Sequence, residues 1–273
     1  MAPLLKDARE KGYGIAAPGI YDLQTAAAAL SAAAELKSPI ILDVYQNNDL
    51  EAIGDIVRFL SSRFESVPFA LNLDHGESFE VTVRAIRAGF SSVMIDCSTK
   101  PFAENVALTS EVVKMAHAVG VSVEAELGHV GSGARYEEDR DKGLTDPAEA
   151  VEFVRQTGVD CLAVAVGTAH GKYAGTPRID FERLAKLREV VPAPLVLHGG
   201  SSTGDENLSK AVRQGITKVN LFTDLVFAGA LGIKTALSSG KDLPLPALYA
   251  AGVTGYKDML KHYIELFGSA GKA

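Results

Sequence analysis

Short runs of branched apolar residues alternate along this chain with longer stretches in which apolar residues recur at helical spacing. Because the runs are brief and bounded by turn residues, they predict buried strands, and the longer stretches predict amphipathic helices. The predicted strands are Gly14–Pro18, Pro39–Tyr45, Pro68–Asp74, Ser92–Asp96, Val121–Glu126, Val159–Val166, Leu195–His198 and Thr217–Asn220. The predicted helices are Leu23–Leu36, Leu50–Phe64, Phe79–Ala88, Ala103–Ala118, Pro147–Thr157, Phe181–Val190, Glu206–Gln214, Asp224–Ser238 and Val253–Phe267.

This regular alternation favours one fold class. Eight β–α units without a Pro/Gly/Ser linker favour an α/β fold of the (β/α)8 TIM barrel type over a doubly wound sheet. The 273 residues suit a single barrel domain over residues 1–273, with an additional C-terminal helix. Right-handed crossovers make the strands parallel, so the carboxyl ends of all strands lie on the face where barrel enzymes keep their active sites.

Polar and metal-ligating residues collect where the predicted strands end. They are Asp74, His75, Asp96, Glu126, His170, His198, Asn220 and Thr223. Three of them are histidines, and three neutral imidazoles with one open position form a catalytic zinc site. His75, His170 and His198 are each followed by glycine. Their shared position favours a metal site over three unrelated hydrogen-bonding histidines.

The carboxylates near these histidines allow several roles. Asp74 could act as a general acid–base beside the metal, support a ligand, or accept a capping hydrogen bond. Asp96 and Glu126 could bind a second metal, orient the histidines or form salt bridges, and the residues alone leave these roles open. Glu124 lies two residues before Glu126 on the same strand face, so one of the two could belong to a different network.

Two predicted loops have the composition of a phosphate site. Gly199, Gly200 and Ser201 follow the seventh strand, and the Asn-Leu-Phe-Thr segment at 220–223 follows the eighth. Loops at these two positions bind phosphate in many barrels, through backbone N–H groups and hydroxyls. Ordinary turn chemistry uses the same residue types. The sequence therefore predicts an anion site beside the metal site, with turn formation as the alternative.

Composition narrows the class of partner. The chain has 27 Lys and Arg against 34 Asp and Glu, a formal net charge of −7, without a block of like charge, which argues against a nucleic-acid partner. The first residues contain no apolar stretch of signal-peptide length, and no run is long enough to span a bilayer. Cys97 and Cys161 lie far apart, so reduced thiols and a cytoplasmic location are expected.

An apolar stripe runs along the last predicted helix. Its residues are Met259, Leu260, Ile264 and Phe267. A stripe of this kind usually packs on the chain's own barrel and less often forms a subunit interface. A homodimer or homotetramer is expected.

Six motifs, in order along the chain, resemble those of one enzyme family. They are NLDHG (Asn72–Gly76), SVMID (Ser92–Asp96), SVEAELG (Ser122–Gly128), AVGTAHGKY (Ala165–Tyr173), LVLHGGSS (Leu195–Ser202) and KVNLFTD (Lys218–Asp224). The chain resembles the class II, zinc-dependent ketose-bisphosphate aldolases, nearest the branch of tagatose-bisphosphate and 6-phospho-5-dehydro-2-deoxygluconate aldolases. The resemblance implies reversible cleavage of a ketose phosphate or bisphosphate into dihydroxyacetone phosphate and an aldehyde, through a metal-stabilised ene-diolate.

The resemblance also implies a role for each matching residue. The implied ligands of one zinc ion per subunit are His75, His170 and His198. Asp74 is implied to handle the proton on the hydroxyl that becomes the aldehyde. The implied carboxylates of an alternative metal position are Asp96 and Glu126. The positions that match those holding dihydroxyacetone phosphate, where a monovalent cation often assists, are Gly171, Gly199, Ser201, Asn220 and Thr223.

The chain departs from the family at two places that matter for the reaction. The family often has a serine at the end of the second strand, used toward the far end of the substrate, where this chain has Tyr45. Tyr45, Gln46 and Asn47 could therefore form a pocket for a smaller or an unphosphorylated aldehyde. The loop after the fifth strand usually reads Gly-Gly-x-Glu-Asp, and its glutamate is the base that enolises the donor. This loop reads GSGARYEED, so Glu138 is the predicted base, with Glu137 the alternative.

Two other functions are compatible with the same barrel. A metal-dependent hydrolase using zinc hydroxide would explain the histidines and carboxylates, but not the paired phosphate loops. A non-catalytic sugar-phosphate binder would keep the pocket and lose the loop base. Phosphatase activity would support the former, and zinc-dependent ligand binding without turnover would support the latter.

Overall fold

The chain forms a barrel of parallel strands in a computed structural model that describes residues 1–139, 141–239 and 242–273. The strands of that part of the chain are β1 (Ile15–Pro18), β2 (Ile40–Tyr45), β3 (Phe69–Gly76), β4 (Ser92–Ile95), β5 (Ser122–Leu127), β6 (Cys161–Val164), β7 (Leu195–Leu197) and β8 (Ile216–Leu221). Their order is β1-β8-β7-β6-β5-β4-β3-β2. A parallel bridge between Gly19 and Asp43 joins the end of β1 to β2, so the sheet nearly closes and the predicted TIM barrel is confirmed.

Helices surround the barrel and alternate with its strands. They are α1 (Ala2–Lys11), α2 (Leu23–Leu36), α3 (Leu50–Ser61), α4 (Phe79–Arg87), α5 (Phe102–His117), α6 (Tyr136–Asp139), α7 (Pro147–Thr157), α8 (Phe181–Val190), α9 (Asp205–Arg213), α10 (Thr223–Leu237) and α11 (Leu245–Leu266). Several begin where the sequence supplies a capping side chain: Asp49 and Ser78, for example, accept first-turn N–H groups of α3 and α4. Within the described ranges, none of the helices combines the length and apolarity needed to span a bilayer.

Helix α1 was not predicted from the hydrophobic pattern. Only Leu5 and Ala8 are buried within it, so its apolar face is too narrow to give a periodic signal. Both side chains pack against inward residues of the barrel such as Ile15 and Ile41. The backbone N–H of Ala2 donates to Ser122 Oγ, 3.0 Å away, at the beginning of β5. The helix therefore covers the end of the barrel opposite the polar strand ends.

Helix α11 begins at Leu245, earlier than the predicted start at Val253. Glycine weakens a helix pattern, which is why the segment around Gly252 did not predict one. In the structure, α10 and α11 approach so closely that a side chain at Gly232 would collide with the backbone of Ala251. Tertiary packing thus requires the glycines that lower the intrinsic helix propensity.

The apolar stripe predicted on the last helix packs on the chain's own barrel. Leu260, Ile264 and Phe267 are fully buried, and Met259 packs against the same core. This is the more common of the two arrangements expected for such a stripe. A subunit interface would have to use another surface.

Candidate active site

Three histidines come together at the carboxyl end of the barrel. His75 lies near the end of β3, His198 directly follows β7, and His170 lies in the segment after β6. One imidazole nitrogen from each lies within 4.8 Å of the others. The ring centroids of His75 and His198 are 4.6 Å apart, and those of His75 and His170 are 5.0 Å apart. Residues distant in sequence therefore form one cluster, close enough to share a metal ion.

An irregularity in β3 brings the side chains of both Asp74 and His75 to the mouth of the barrel, at the carboxyl ends of its strands. Successive side chains of a regular strand point to opposite faces. The ladder between β3 and β4 shifts register between Leu73 and Gly76. His75 adopts a φ of 50°, in the left-handed region that residues other than glycine rarely occupy. As a result, Asp74 and His75 both line the cavity at this end of the barrel.

Carboxylates orient two of the histidines. His75 Nδ1 lies 2.7 Å from Asp96 Oδ2, and His198 Nε2 lies 2.9 Å from Glu124 Oε1. The other nitrogens, His75 Nε2 and His198 Nδ1, are buried without a hydrogen-bond partner among the described residues. Glu126 Oε2, 3.1 Å from His198 Nδ1 but outside hydrogen-bonding geometry, is also unpartnered there. Because buried polar atoms are normally paired, this donor set fits a metal ion whose ligands are held by carboxylates behind them.

The imidazoles differ in their electrostatic surroundings. Burial, together with the neighbouring histidines, lowers the pKa of His170 to about 4, so this ring is neutral near neutral pH. Burial also lowers the pKa of His198, but Glu124 and Glu126 outweigh that effect and raise the pKa well above its ordinary value. The negative potential that favours a proton on His198 favours a bound cation at the same place.

A second group of metal-ligating atoms overlaps the first. His75, Asp96 and Glu126 each place one ligand atom within 4.8 Å of the others. Asp96 also accepts the backbone N–H of Ser98 at 3.0 Å, and Glu126 accepts that of Val130 at 2.9 Å. Both carboxylates therefore already hold protein groups in place. A second metal position at Asp96 and Glu126 stays a prediction.

A buried lysine lies beneath the histidine cluster. Lys218 on β8 is fully buried, with Nζ 2.7 Å from Glu124 Oε2 and 3.2 Å from Asp43 Oδ2. Asn72 Nδ2 donates to Asp43 Oδ1 at 2.9 Å. Burial raises the pKa of Glu124, but Lys218 and His198 outweigh that effect and hold the pKa below its ordinary value. Glu124 therefore connects the buried lysine to the histidine.

Sequence analysis identified Glu124 but missed Lys218 and Asp43. The only signal was one charged residue within each of two otherwise uncharged strands, PIILDVY and ITKVNL. Inward-facing positions alternate along a strand, so Asp43 and Tyr45 share a face, as do Lys218 and Asn220. The interior layer of charges below the mouth could have been inferred from that alternation.

The loops after β7 and β8 are tied to each other and to the last helix. Ser201 Oγ accepts the backbone N–H groups of Phe222 and Asp224, at 3.1 and 3.2 Å. Asp224 accepts the N–H of Ser202 and the hydroxyl of Tyr263, each at 2.6 Å. These bonds hold Ser202 at a φ of 61°. The two loops predicted to bind phosphate therefore form one braced unit.

Gly199 and Asn220 connect this unit to the rest of the site. Gly199 has a φ of 67°, and a side chain there would collide with the backbone of Ala169, so the position requires glycine. Asn220 Nδ2 donates to Asp74 Oδ1 at 3.0 Å. Asn220 Oδ1 is buried and without a hydrogen-bond partner in the described part of the chain, which leaves it available to a ligand.

One cavity of about 870 Å³ contains most of the predicted site. The predicted site residues that line it are Asp74, His75, Asp96, His170, Gly171, Gly199, Ser201, Asn220 and Thr223. His198 and Glu126 are buried next to it and complete the metal-type cluster. The volume suits a sugar phosphate, since small-molecule sites are concave and of this size.

The structure places the predicted loop base outside this cavity. Glu138 lies in α6, is largely exposed, and has Oε2 3.5 Å from Arg135 Nε. Glu137 packs against Gly175, where any side chain would meet its carboxylate. Tyr136 anchors the segment, because its buried hydroxyl donates to Gly167 O at 2.8 Å. The base assignment stays a prediction, and it requires the loop to move inward.

Comparisons with known proteins agree with this architecture. The family model described as Fructose-bisphosphate aldolase class-II matches residues 1–272. The crystal structure of the YdjI aldolase from Escherichia coli K12 is 34% identical, with a TM-score of 0.88 over 100% of this chain and 98% of that chain. A putative fructose-1,6-biphosphate aldolase from Coccidioides immitis is 32% identical, with a TM-score of 0.87 over 99% and 96%. Fructose-bisphosphate aldolase from Campylobacter jejuni, 21% identical, shares the fold, with a TM-score of 0.82 over 99% and 94%.

The barrel, its histidine cluster and its braced loops fit an aldolase-type lyase, the class to which the proteins compared above belong. The family match covers nearly the whole chain, and the chain belongs to the class II fructose-bisphosphate aldolase family. It is therefore a carbon–carbon lyase, from a family that acts on small sugar phosphates. The family resemblance predicted from the six sequence motifs is confirmed.

Proposed function

We propose that this aldolase depends on zinc and reversibly cleaves a ketose phosphate or bisphosphate into dihydroxyacetone phosphate and an aldehyde. The observation that carries the proposal is the pair of unpartnered imidazole nitrogens on His75 and His198, beside a cavity that also contains the braced loops. Zinc held by His75, His170 and His198 would supply Lewis-acid polarisation of the substrate carbonyl.

Asp74 is the residue proposed to move the proton of the substrate hydroxyl. In cleavage, the bond between the carbon next to the carbonyl and the hydroxyl-bearing carbon breaks, and its electron pair stays with the donor fragment. The hydroxyl proton passes to Asp74 as the aldehyde forms. Asp74 Oδ1 already accepts a hydrogen bond from Asn220 Nδ2, 3.0 Å away. Oδ2 is therefore the atom that would take the proton.

The braced loops and the segment after β6 would hold the donor phosphate. Gly171, Gly199 and Ser201 line the cavity together with Thr223, the first residue of α10. Backbone N–H groups in such loops and at a helix N-terminus bind an anion without a dedicated cation. A monovalent cation beside the phosphate is part of the proposal, from the family resemblance.

Donor activation is testable before the aldehyde is known. In deuterated water, the zinc-loaded protein is expected to exchange the proton of dihydroxyacetone phosphate at the hydroxymethyl carbon beside the carbonyl. Proton NMR follows the exchange, which should be lost on chelation and restored by zinc. Zinc-loaded protein that exchanges no proton would contradict the proposal.

The same exchange experiment shows which of the two loop glutamates, Glu137 or Glu138, acts as the base. Glu138→Gln is expected to slow the exchange about hundredfold, because a positioned general base contributes on that order. If Glu137→Gln has the larger effect, Glu137 is the base. Glu149→Gln, on α7 and exposed, removes the same charge away from the cavity and serves as the matched control.

We also propose a homodimer or homotetramer, formed through α10 and α11. Phe227 and Leu231 on α10, and Leu245 and Tyr249 on α11, are each more than half exposed, at 53%, 62%, 57% and 54%. The two helices contact each other, and a contiguous apolar patch across them would be typical of an interaction surface. Light scattering should give two or four times the chain mass of 28.8 kDa. Leu231→Glu should reduce that mass, and a monomeric wild-type protein would contradict the proposal.

A reducing, cytoplasmic location is proposed as well. Cys97 and Cys161 are both buried and free. Unpaired buried thiols are typical of proteins that stay in a reducing compartment.

A further inference from the structure

We infer that the aldehyde partner of this site is an uncharged hydroxyaldehyde without a phosphate group. The inference rests on the proposed function and narrows its substrate class. It follows from a difference between the two sides of the cavity: one side is built for an anion, and the other carries carboxylates and a phenol.

The donor side of the cavity is formed by the ends of β6, β7 and β8. Its lining includes Gly171, Gly199, Ser201 and Thr223, whose uncharged backbone N–H groups and hydroxyls are typical anion ligands. None of these groups carries a negative charge. A phosphate can be held there by hydrogen bonds alone.

The opposite side is formed by the ends of β2, β3 and β4. Asp74, Glu77 and Asp96 line the cavity there, together with Tyr45. Among the described residues that line the cavity, none is lysine or arginine. Asp74 and Asp96 lie beside His75, where the proposed zinc would balance part of their charge. Glu77 is therefore the carboxylate that a second phosphate would meet without a lysine or arginine on the cavity wall, and like charges close together are unfavourable.

One lysine adjoins the lining of the donor side of the cavity. Lys172 follows Gly171, and its ammonium lies 3.6 Å from the ring centroid of Phe227 on α10. This cation–π contact holds the charge beside the helix that follows the eighth strand. It does not compensate the carboxylates at the ends of β3 and β4.

Tyr45 limits the space at the carboxylate side. It ends β2, where it pairs in register with Asp74, and its side chain is 43% exposed at the mouth. Its ring centroid lies 6.4 Å from that of His75. A phenol at this place reduces the room beyond the histidine cluster and offers one hydroxyl for hydrogen bonding.

The same side is suited to hydroxyl groups. Gln46 Oε1 accepts the backbone N–H of Glu77 at 3.0 Å, which ties the loop after β2 to the end of β3. The Glu77 carboxylate and the Asn47 amide both line the cavity. Carboxylate oxygens accept hydrogen bonds from sugar hydroxyls, and amides can donate or accept. A neutral polyhydroxy chain can use both groups. A phosphate dianion could accept from the Asn47 amide, but it would meet the Glu77 carboxylate without any hydrogen bond between them.

The experiment compares two acceptors that differ only in the phosphate. Condensation of dihydroxyacetone phosphate with glyceraldehyde and with glyceraldehyde 3-phosphate is measured on the zinc-loaded protein. We expect kcat/KM to be at least about tenfold higher for glyceraldehyde, since the repulsion between one carboxylate and a nearby phosphate is enough for a change of that order. Raising the salt from about 0.02 M to about 0.3 M shortens the Debye length, so it should narrow the ratio in favour of the phosphorylated aldehyde.

Two variants locate the cause of the preference. Glu77→Lys should shift the ratio about tenfold toward the phosphorylated aldehyde, and Tyr45→Ser should shift it in the same direction by making room. Both positions are exposed, so the fold should tolerate them. Glu80→Lys makes the same charge change on α4, away from the cavity lining, and should leave the ratio unchanged.

A wild-type preference for the phosphorylated aldehyde would overturn the inference, and so would ratios that neither variant moves. Turnover of neither aldehyde with donor exchange intact would overturn it as well, while leaving the proposed function standing. Loss of donor exchange itself would instead count against the proposed function.

Discussion

Lys218→Met should lower the free energy of unfolding by about 3–5 kcal/mol, because it leaves two buried carboxylates without their shared counter-charge. Lys218 Nζ lies 2.7 Å from Glu124 and 3.2 Å from Asp43, and all three side chains are almost completely buried. Burial lowers the pKa of Lys218, but Asp43 and Glu124 outweigh that effect and raise it, so the lysine is charged. Urea unfolding of the metal-free protein measures the loss.

A double variant keeps this prediction testable even if the single variant folds poorly. Adding Glu124→Gln to Lys218→Met removes one of the two uncompensated charges and should recover part of the lost stability. It should also weaken zinc binding by about 10–100-fold, because a neutral amide is a weaker partner for His198 Nε2 than a carboxylate. Competition with a chromophoric chelator measures that affinity.

Lys261→Met is the matched control for the buried lysine. Lys261 pairs with Glu35 at 2.8 Å on the surface, where an ion pair contributes about 0–1 kcal/mol. Equal urea midpoints for Lys218→Met and Lys261→Met would show that the interior charges are not interdependent.

The position of Glu124 explains why a charged network lies inside this barrel. One of its oxygens accepts from Lys218 and the other faces His198, so the same carboxylate balances the interior lysine and orients a metal-type ligand. An apolar replacement could fill the space at equal stability, but it could not hold the imidazole in one tautomer. The network therefore belongs to the site as much as to the core.

The barrel fold and most of the residues at its mouth could be predicted from the sequence. Strand runs recur at regular spacing, and parallel strands must end on one face, so His75, His170 and His198 could be brought together without coordinates. Even Asp74 beside His75 was predictable as a pair at the mouth. The register shift that lets both side chains reach it was not, because it depends on the pairing of β3 with β4.

Other features depend on contacts that local patterns do not contain. Helix α1 is held by the end of the barrel that it covers, and its own apolar face is narrow. Lys218 is explained only by carboxylates on β2 and β5. The conformation of the loop with Glu137 and Glu138 is set by the buried hydroxyl of Tyr136, which bonds to a backbone oxygen in a separate segment. In each case the deciding partner is remote in sequence.

Asp74→Asn should reduce the rate of carbon–carbon bond cleavage about 10³-fold while leaving proton exchange of dihydroxyacetone phosphate within about threefold of wild type. The amide keeps an oxygen for the hydrogen bond from Asn220 Nδ2, now 3.0 Å from Asp74 Oδ1, but it cannot take up the hydroxyl proton. Donor exchange does not involve that hydroxyl, so it serves as the internal control for folding and metal content. Cleavage is measured with the ketose phosphate formed from dihydroxyacetone phosphate and glyceraldehyde.

Loss of cleavage with retained donor exchange would distinguish a proton-transferring Asp74 from a residue that only holds the metal ligands in place. Asp74 Oδ1 lies 3.9 Å from His75 Nε2, so a role in holding the histidine would lower cleavage and exchange together, along with zinc content. Glu138→Gln, in contrast, is expected to slow donor exchange itself, because the loop base takes its proton from the donor. Equal loss of both activities in Asp74→Asn, at reduced zinc content, would assign the carboxylate to the metal site and leave the proton of the aldehyde hydroxyl to another group.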